Sequence, residues 1–247
     1  MYDWRARIGV IYPFIRAIRP CCVDEFRVAA PEGVGFIDAK LIFPPEAEPG
    51  VRMAEEAFPT MSQHIEQPAK QLALANVQVI IQLGGALDMF RGWGSDREII
   101  SRIEAVANVP AMTHGIAEVE ALHRLDIKKV VVVTPYEDEV NVAVEQYLRG
   151  GGVEVVHLKR LGVVREVFEA SPYGIYRPIK ETFLQSPPAD GLIILCGAIR
   201  TFEIIQPLEY DIGKPVITAV QAGLWKVLDM VSVKEPIKGY GKLLEVL

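Results

Sequence analysis

Short apolar runs alternate along this chain with segments whose apolar residues recur at helical spacing. The runs predict strands at 6–12, 35–43, 77–83, 109–113, 129–134, 153–158, 192–195 and 214–218. Residues 192–195 and 129–134 are apolar without alternation, as in parallel strands covered on both faces. The spaced pattern predicts helices at 62–74, 97–107, 116–125, 137–148, 176–184, 201–210 and 219–228. Residues 14–27 read as a loop leading to a helix start, 46–50 as a proline- and acid-rich linker, and 165–168 as a helical start that Pro172 interrupts. Strands alternating with helices imply parallel sheets with right-handed crossovers.

The pattern runs twice. Gly84-Gly85-Ala86 leaves the 77–83 strand as Cys196-Gly197-Ala198 leaves the 192–195 strand, 112 residues later. That interval exceeds the periods of solenoid repeats. The expected fold is therefore α/β, with two similar domains related by a pseudo-twofold. Each carries a parallel sheet of about four strands flanked by helices. The first spans residues 1–113 plus 219–247, and the second 114–218. Ligands of open α/β sheets bind beyond the carboxyl ends of the strands, and domain interfaces favour small-ligand sites. Both turns should meet at one inter-domain cleft. Cys196 is then either a site residue or a buried small hydrophobe.

Composition narrows the function. The formal net charge of −6 argues against nucleic acid as a partner. No apolar run reaches membrane-spanning length. Three cysteines, two of them adjacent, form no disulfide framework and suit a reducing cytoplasm. The four scattered histidines show no metal-ligand spacing, and no phosphate-binding glycine motif supports a nucleotide cofactor.

The chain resembles the arylmalonate decarboxylase-like members of the aspartate/glutamate racemase superfamily, whose relatives include maleate isomerase and hydantoin racemase. The resemblance rests on Ile8-Gly9-Val10-Ile11-Tyr12-Pro13, Leu83-Gly84-Gly85-Ala86-Leu87 with Phe90-Arg91-Gly92, Thr134-Pro135-Tyr136-Glu137-Asp138-Glu139-Val140-Asn141, Asp190 through Gly197, and Gly239-Tyr240-Gly241-Lys242-Leu243. Members usually carry a cysteine at each of two equivalent strand ends; this chain has only Cys196, with Gly84-Gly85 at the other.

The resemblance implies a cofactor-independent lyase acting on a small mono- or dicarboxylate, an α-substituted malonate. One carboxylate leaves as CO2 and the other becomes an enediolate. Cys196 matches the proton donor. Gly84, Gly85, Ala86, Tyr136 and Gly197 match the site that holds the retained carboxylate. The family's decarboxylase has a glycine followed by two hydroxyl residues where this chain has Gly84, Gly85 and Ala86, so two side-chain donors are missing. Arg200 replaces an aliphatic residue, and is either a ligand for a further carboxylate or a solvated helix residue. The rival expectations are a maleate isomerase-like or racemase enzyme, and a carboxylate-binding protein without turnover.

Further candidates are Pro13, Thr134 and Thr113 at strand ends, and His114 as an acid/base group or a structural histidine. Leu87, Val163, Val164 and Phe168 are candidates for an apolar wall or for plain core. Cys21 and Cys22 read as mainly structural. Asp88 and Glu203 read as acids in helix first turns.

Overall fold

The computed structural model describes residues 3–14, 22–42, 64–162 and 169–247. The expected linker at 46–50, the helical start at 165–168, and Cys21, Val163, Val164 and Phe168 lie outside these residues.

The elements are β1 (Ala6–Phe14), α1 (Cys22–Ala29), β2 (Val34–Ile42), α2 (Glu66–Leu74), β3 (Val79–Gln82), α3 (Gly85–Met89), α4 (Asp96–Ala107), β4 (Ala111–Thr113) and α5 (His114–Arg124). After them come β5 (Lys129–Thr134), α6 (Asp138–Gly150), β6 (Glu154–Arg160), α7 (Pro172–Gln185), β7 (Gly191–Ile194), α8 (Phe202–Ile212), β8 (Val216–Thr218), α9 (Ala219–Met230) and α10 (Lys242–Glu245). They build two four-stranded sheets, ordered β2-β1-β3-β4 and β6-β5-β7-β8. Every pairing is parallel. β3 and β7 are buried along their whole length, as strands covered on both faces must be. Among the described residues no helix is long and apolar enough to cross a membrane.

Two proline expectations are corrected. Pro13 does not end β1, which pairs with β2 as far as Phe14. The Ile11 carbonyl faces β3 and accepts from the Leu83 N–H at 2.7 Å. Alternation aims the Pro13 nitrogen the same way, but β3 pairing has already ended opposite Ile11. The missing N–H therefore costs no ladder bond. Pro172 does not interrupt a helix but opens α7 at its first position, where an N–H has no intrahelical partner. Ser171 caps that end, its hydroxyl accepting from the Gly174 N–H at 3.2 Å.

The strands that follow the two turns' sheets end alike. β4 runs into α5 through Thr113, and β8 runs into α9 through Thr218. Thr218 forms a capping box: its hydroxyl accepts from the Gln221 N–H at 3.2 Å, and the Gln221 side chain accepts from the Thr218 N–H. Gln221, Ala222, Gly223, Leu224 and Trp225 are all buried in succession, so α9 is enclosed on every side. It lies against α5, and against α1 and β3 of the first half. At Gly223 a β-carbon would come within 3.1 Å of Phe26 and 3.4 Å of Ile81 and His114, which explains the glycine. α5 in turn touches β8 of the second sheet.

Glu25 of α1 joins the halves a second time. Its Oε1 accepts from the backbone N–H groups of Thr201 (2.8 Å) and Phe202 (2.9 Å), capping α8. Burial pushes this carboxyl up to about 7, with the Glu203 charge adding to it and the two N–H donors and Arg200 opposing. The native state therefore holds this proton longer than the unfolded chain does. Stability falls as pH rises from about 4.5 to 7, and levels off above. Glu25→Gln keeps the accepting oxygen without the charge. Urea titrations should find it more stable than the parent by about 2–3 kcal/mol at pH 8 and equal to it at pH 4. Equal stabilities at pH 8 would show that the buried charge costs nothing.

Candidate active site

The two turns sit at equivalent places. Gly84 lies two residues beyond β3, and Cys196 two residues beyond β7. Both have left-handed backbones, with φ of 110° at Gly84 and 120° at Cys196. Glycine accepts that conformation without cost, whereas cysteine does not. Cys196 is thus held in a strained conformation at the carboxyl end of a sheet.

His114 links the Gly84 turn to the start of α9. Its Nδ1 accepts from the Gly84 N–H at 3.3 Å, and its Nε2 lies 2.6 Å from the Ala219 carbonyl. This network assigns the proton to Nε2. Its Cε1 would lie 3.5 Å from a β-carbon placed on Gly197. Burial pushes the imidazole down to about 4, so it is neutral at physiological pH. His114 therefore ties the Gly84 turn to the start of α9, beside Gly197.

Cys196 is half-buried, and its sulfur accepts from the Ala198 N–H at 3.5 Å and pairs with the Tyr136 hydroxyl. Burial pushes the thiol up to about 11, against those two hydrogen bonds. It therefore holds its proton at neutral pH. Tyr136 is buried too and is held well above the ordinary phenol range, first by burial and then by Cys196.

Thr134 sets the place of Tyr136. Its Oγ1 donates to Asn141 Oδ1 at 2.6 Å and accepts from the Tyr136 N–H at 3.2 Å. Asn141 Nδ2 donates to the Tyr136 carbonyl at 3.0 Å. This closed ring accounts for the spacing of Thr134, Tyr136 and Asn141, and commits the Thr134 hydroxyl to the turn. Thr113 is committed likewise, donating to Asp96 at 2.8 Å. Neither hydroxyl caps its own helix.

Pro13 is half-buried at the same sheet edge as Gly84. Ala86 is buried in α3; Leu87 belongs to α3, with its side chain outside the described residues. Arg200 is largely in solvent and pairs with Glu203, as a solvated helix-entry residue does.

Of three further buried groups, only Glu118 escaped the sequence reading. Cys22 is buried, and its sulfur would lie 3.9 Å from a β-carbon on Gly197. Asp88 stands in the first turn of α3, as expected, and is fully buried, with burial and Asp96 holding it well above the carboxylate range. Glu118 is buried against Gly85, where a β-carbon would stand 2.9 Å from its Oε2. The four-residue interval from His114 to Glu118 puts both on one helix face, a signal present in the sequence but outside the matched motifs. Among the described residues no group of three or more His, Cys, Asp or Glu side chains is arranged to hold a metal ion.

The family model described as arylmalonate decarboxylase matches residues 48–244, most of the chain. The chain belongs to the arylmalonate decarboxylase family. Arylmalonate decarboxylase of Bordetella bronchiseptica is 22% identical over 193 residues, covering 77% of this chain and 80% of that protein. A maleate isomerase of Pseudomonas putida is 25% identical over 199 residues, covering 78% and 80%. The crystal structure of the maleate isomerase Iso from Pseudomonas putida S16 superposes with a TM-score of 0.82 at 22% identity, over 97% of this chain and 98% of that one. The family's two-sheet architecture is thus this chain's own, and its similar relatives are enzymes of two kinds, a decarboxylase and isomerases.

Proposed function

We propose that this protein is a cofactor-independent decarboxylase of an α-substituted malonate. One observation carries the reading: a single proton-bearing thiol, Cys196, stands at one strand end, and a bare glycine, Gly84, at its equivalent. Such a site delivers a proton to one face of a carbanion. The malonate's C–C bond breaks, CO2 leaves, and the electron pair passes into an enediolate. In this reading the backbone N–H groups of Gly85, Ala86 and Gly197, with the neutral Tyr136 hydroxyl, would hold the developing charge. The Cys196 proton then moves to the α-carbon, and water returns a proton to the sulfur.

The second reading is a maleate isomerase-like activity, favoured by the isomerases among the relatives. Rotation about the double bond of maleate requires transient addition of a nucleophile. The only thiols at the described site are Cys196 and Cys22, and burial pushes the latter up to about 12. Both are poor nucleophiles in their protonated forms.

The test is CO2 release from a panel of aryl- and alkylmalonates in D2O. The expected product carries one deuterium at the α-carbon of a single enantiomer, and Cys196→Ala releases no CO2. A folded protein that releases none from any member and converts maleate to fumarate would overturn the decarboxylase reading in favour of the isomerase.

A further inference from the structure

We propose that Glu118 serves as the side chain that position 85 lacks, offering a hydrogen-bond donor to the substrate carboxylate held at the Gly84–Ala86 turn. The proposal rests on the preceding reading that an anion is held there. A β-carbon on Gly85 would meet Glu118 Oε2 at 2.9 Å and Oε1 at 3.2 Å. Real β-carbons are not found that close to an oxygen, so the carboxyl of α5 fills the volume that a residue-85 side chain would need. A side chain at position 85 would therefore force the Glu118 carboxyl to move.

The second observation is the state of that carboxyl. Glu118 is 1% exposed, and among the described residues its Oε2 has no hydrogen-bond partner. Among the described residues no lysine or arginine pairs with it. His114 Nε2 is 3.9 Å from Oε1 and is committed to the Ala219 carbonyl. Burial, and then the nearby Asp96, hold Glu118 well above the carboxylate range, which favours its protonated form. An acid O–H buried without an acceptor is a group left waiting for one. Its contact with the Gly85 position puts the carboxyl at the Gly84–Ala86 turn. A substrate carboxylate on the Gly84–Ala86 turn would supply the acceptor, and an anionic acceptor makes the stronger hydrogen bond.

The experiment measures calorimetric affinity for phenylmalonate and for maleate in the Cys196→Ser protein, so that no turnover consumes the probe. Glu118→Ala should weaken binding about tenfold, as for one hydrogen bond to a charged group. Glu118→Gln, whose amide still donates, should stay within about threefold. Gly85→Ser alone should weaken binding, because serine and Glu118 collide. Gly85→Ser added to Glu118→Ala should instead tighten it, the serine hydroxyl supplying the donor. This reversal of sign is what a merely structural Glu118 would not produce. Unchanged affinity in Glu118→Ala, or Gly85→Ser acting in the same direction in both backgrounds, overturns the proposal and leaves the decarboxylase reading standing. No saturable binding of either probe to the folded protein overturns both.

Discussion

Cys196→Gly is expected to lose about 10²–10⁴-fold in turnover and yet to melt above Cys196→Ala. Both variants remove the proton donor and its pairing with Tyr136, so those losses cancel in the comparison. They differ in backbone freedom. The φ of 120° at Cys196 lies where an L side chain strains the chain, and alanine keeps that strain. Glycine relieves it, as Gly84 does at the equivalent strand end with a φ of 110°. Elsewhere glycine is the more costly of the two in the unfolded chain; here strain of about 1–3 kcal/mol exceeds that entropy, leaving roughly 1 kcal/mol in glycine's favour. For a chain of this size the gap is about 2–4 °C in Tm. Differential scanning calorimetry beside the CO2 assay reads both quantities. An alanine variant that melts higher than the glycine variant would refute the strain, and a glycine variant that turns over within about tenfold of the parent would refute the role of the thiol.

The second large effect concerns stability. Asp96 opens α4 and ties three elements together: it accepts from the Thr113 hydroxyl of β4 at 2.8 Å and from the Tyr147 hydroxyl of α6 at 2.9 Å. All three side chains are buried. Asp96→Ala strands two buried hydroxyls and removes a negative charge from a helix N-terminus, where the dipole favours it. The expected loss is about 3–5 kcal/mol, a large part of the stability of an ordinary domain. Asp96→Asn keeps one accepting oxygen and should lose about half as much. Trp93 packs edge-on to Tyr147, with ring centroids 5.1 Å apart, so its fluorescence follows the site during urea unfolding. A loss below 1 kcal/mol in Asp96→Ala would mean that the hydroxyls find other partners.

Much of the architecture was legible because both sheets are parallel and covered on each face. Runs such as Val130–Val133 and Leu192–Leu195 have little alternative to a buried strand. The doubling was legible in the equivalent glycine-rich turns. Pro13 and Pro172 were misread because a proline's meaning depends on which neighbour its nitrogen faces, and that is a property of the sheet or of the helix end. The site was legible where its residues fall in short contiguous motifs: Cys196-Gly197, Gly84-Gly85 and the Thr134–Asn141 ring. Glu118 and Glu25 were not. Each acts on residues distant in sequence, as Glu25 does on Thr201, and an acid in a helical stretch looks solvated until its neighbours are known.

The enclosure of α9 has a consequence for how the chain comes into being. The helix that covers β3 and packs on α1 is made of residues 219–230, near the carboxyl end. A ribosome therefore delivers the first sheet long before the piece that covers it. Its apolar face waits, exposed, through the synthesis of the whole second half. Folding of the amino-terminal half cannot finish ahead of the rest, as it does in proteins whose domains fold in turn during synthesis. Nascent chains stopped before residue 219 should accordingly hold on to chaperones, and let go once α9 clears the exit tunnel.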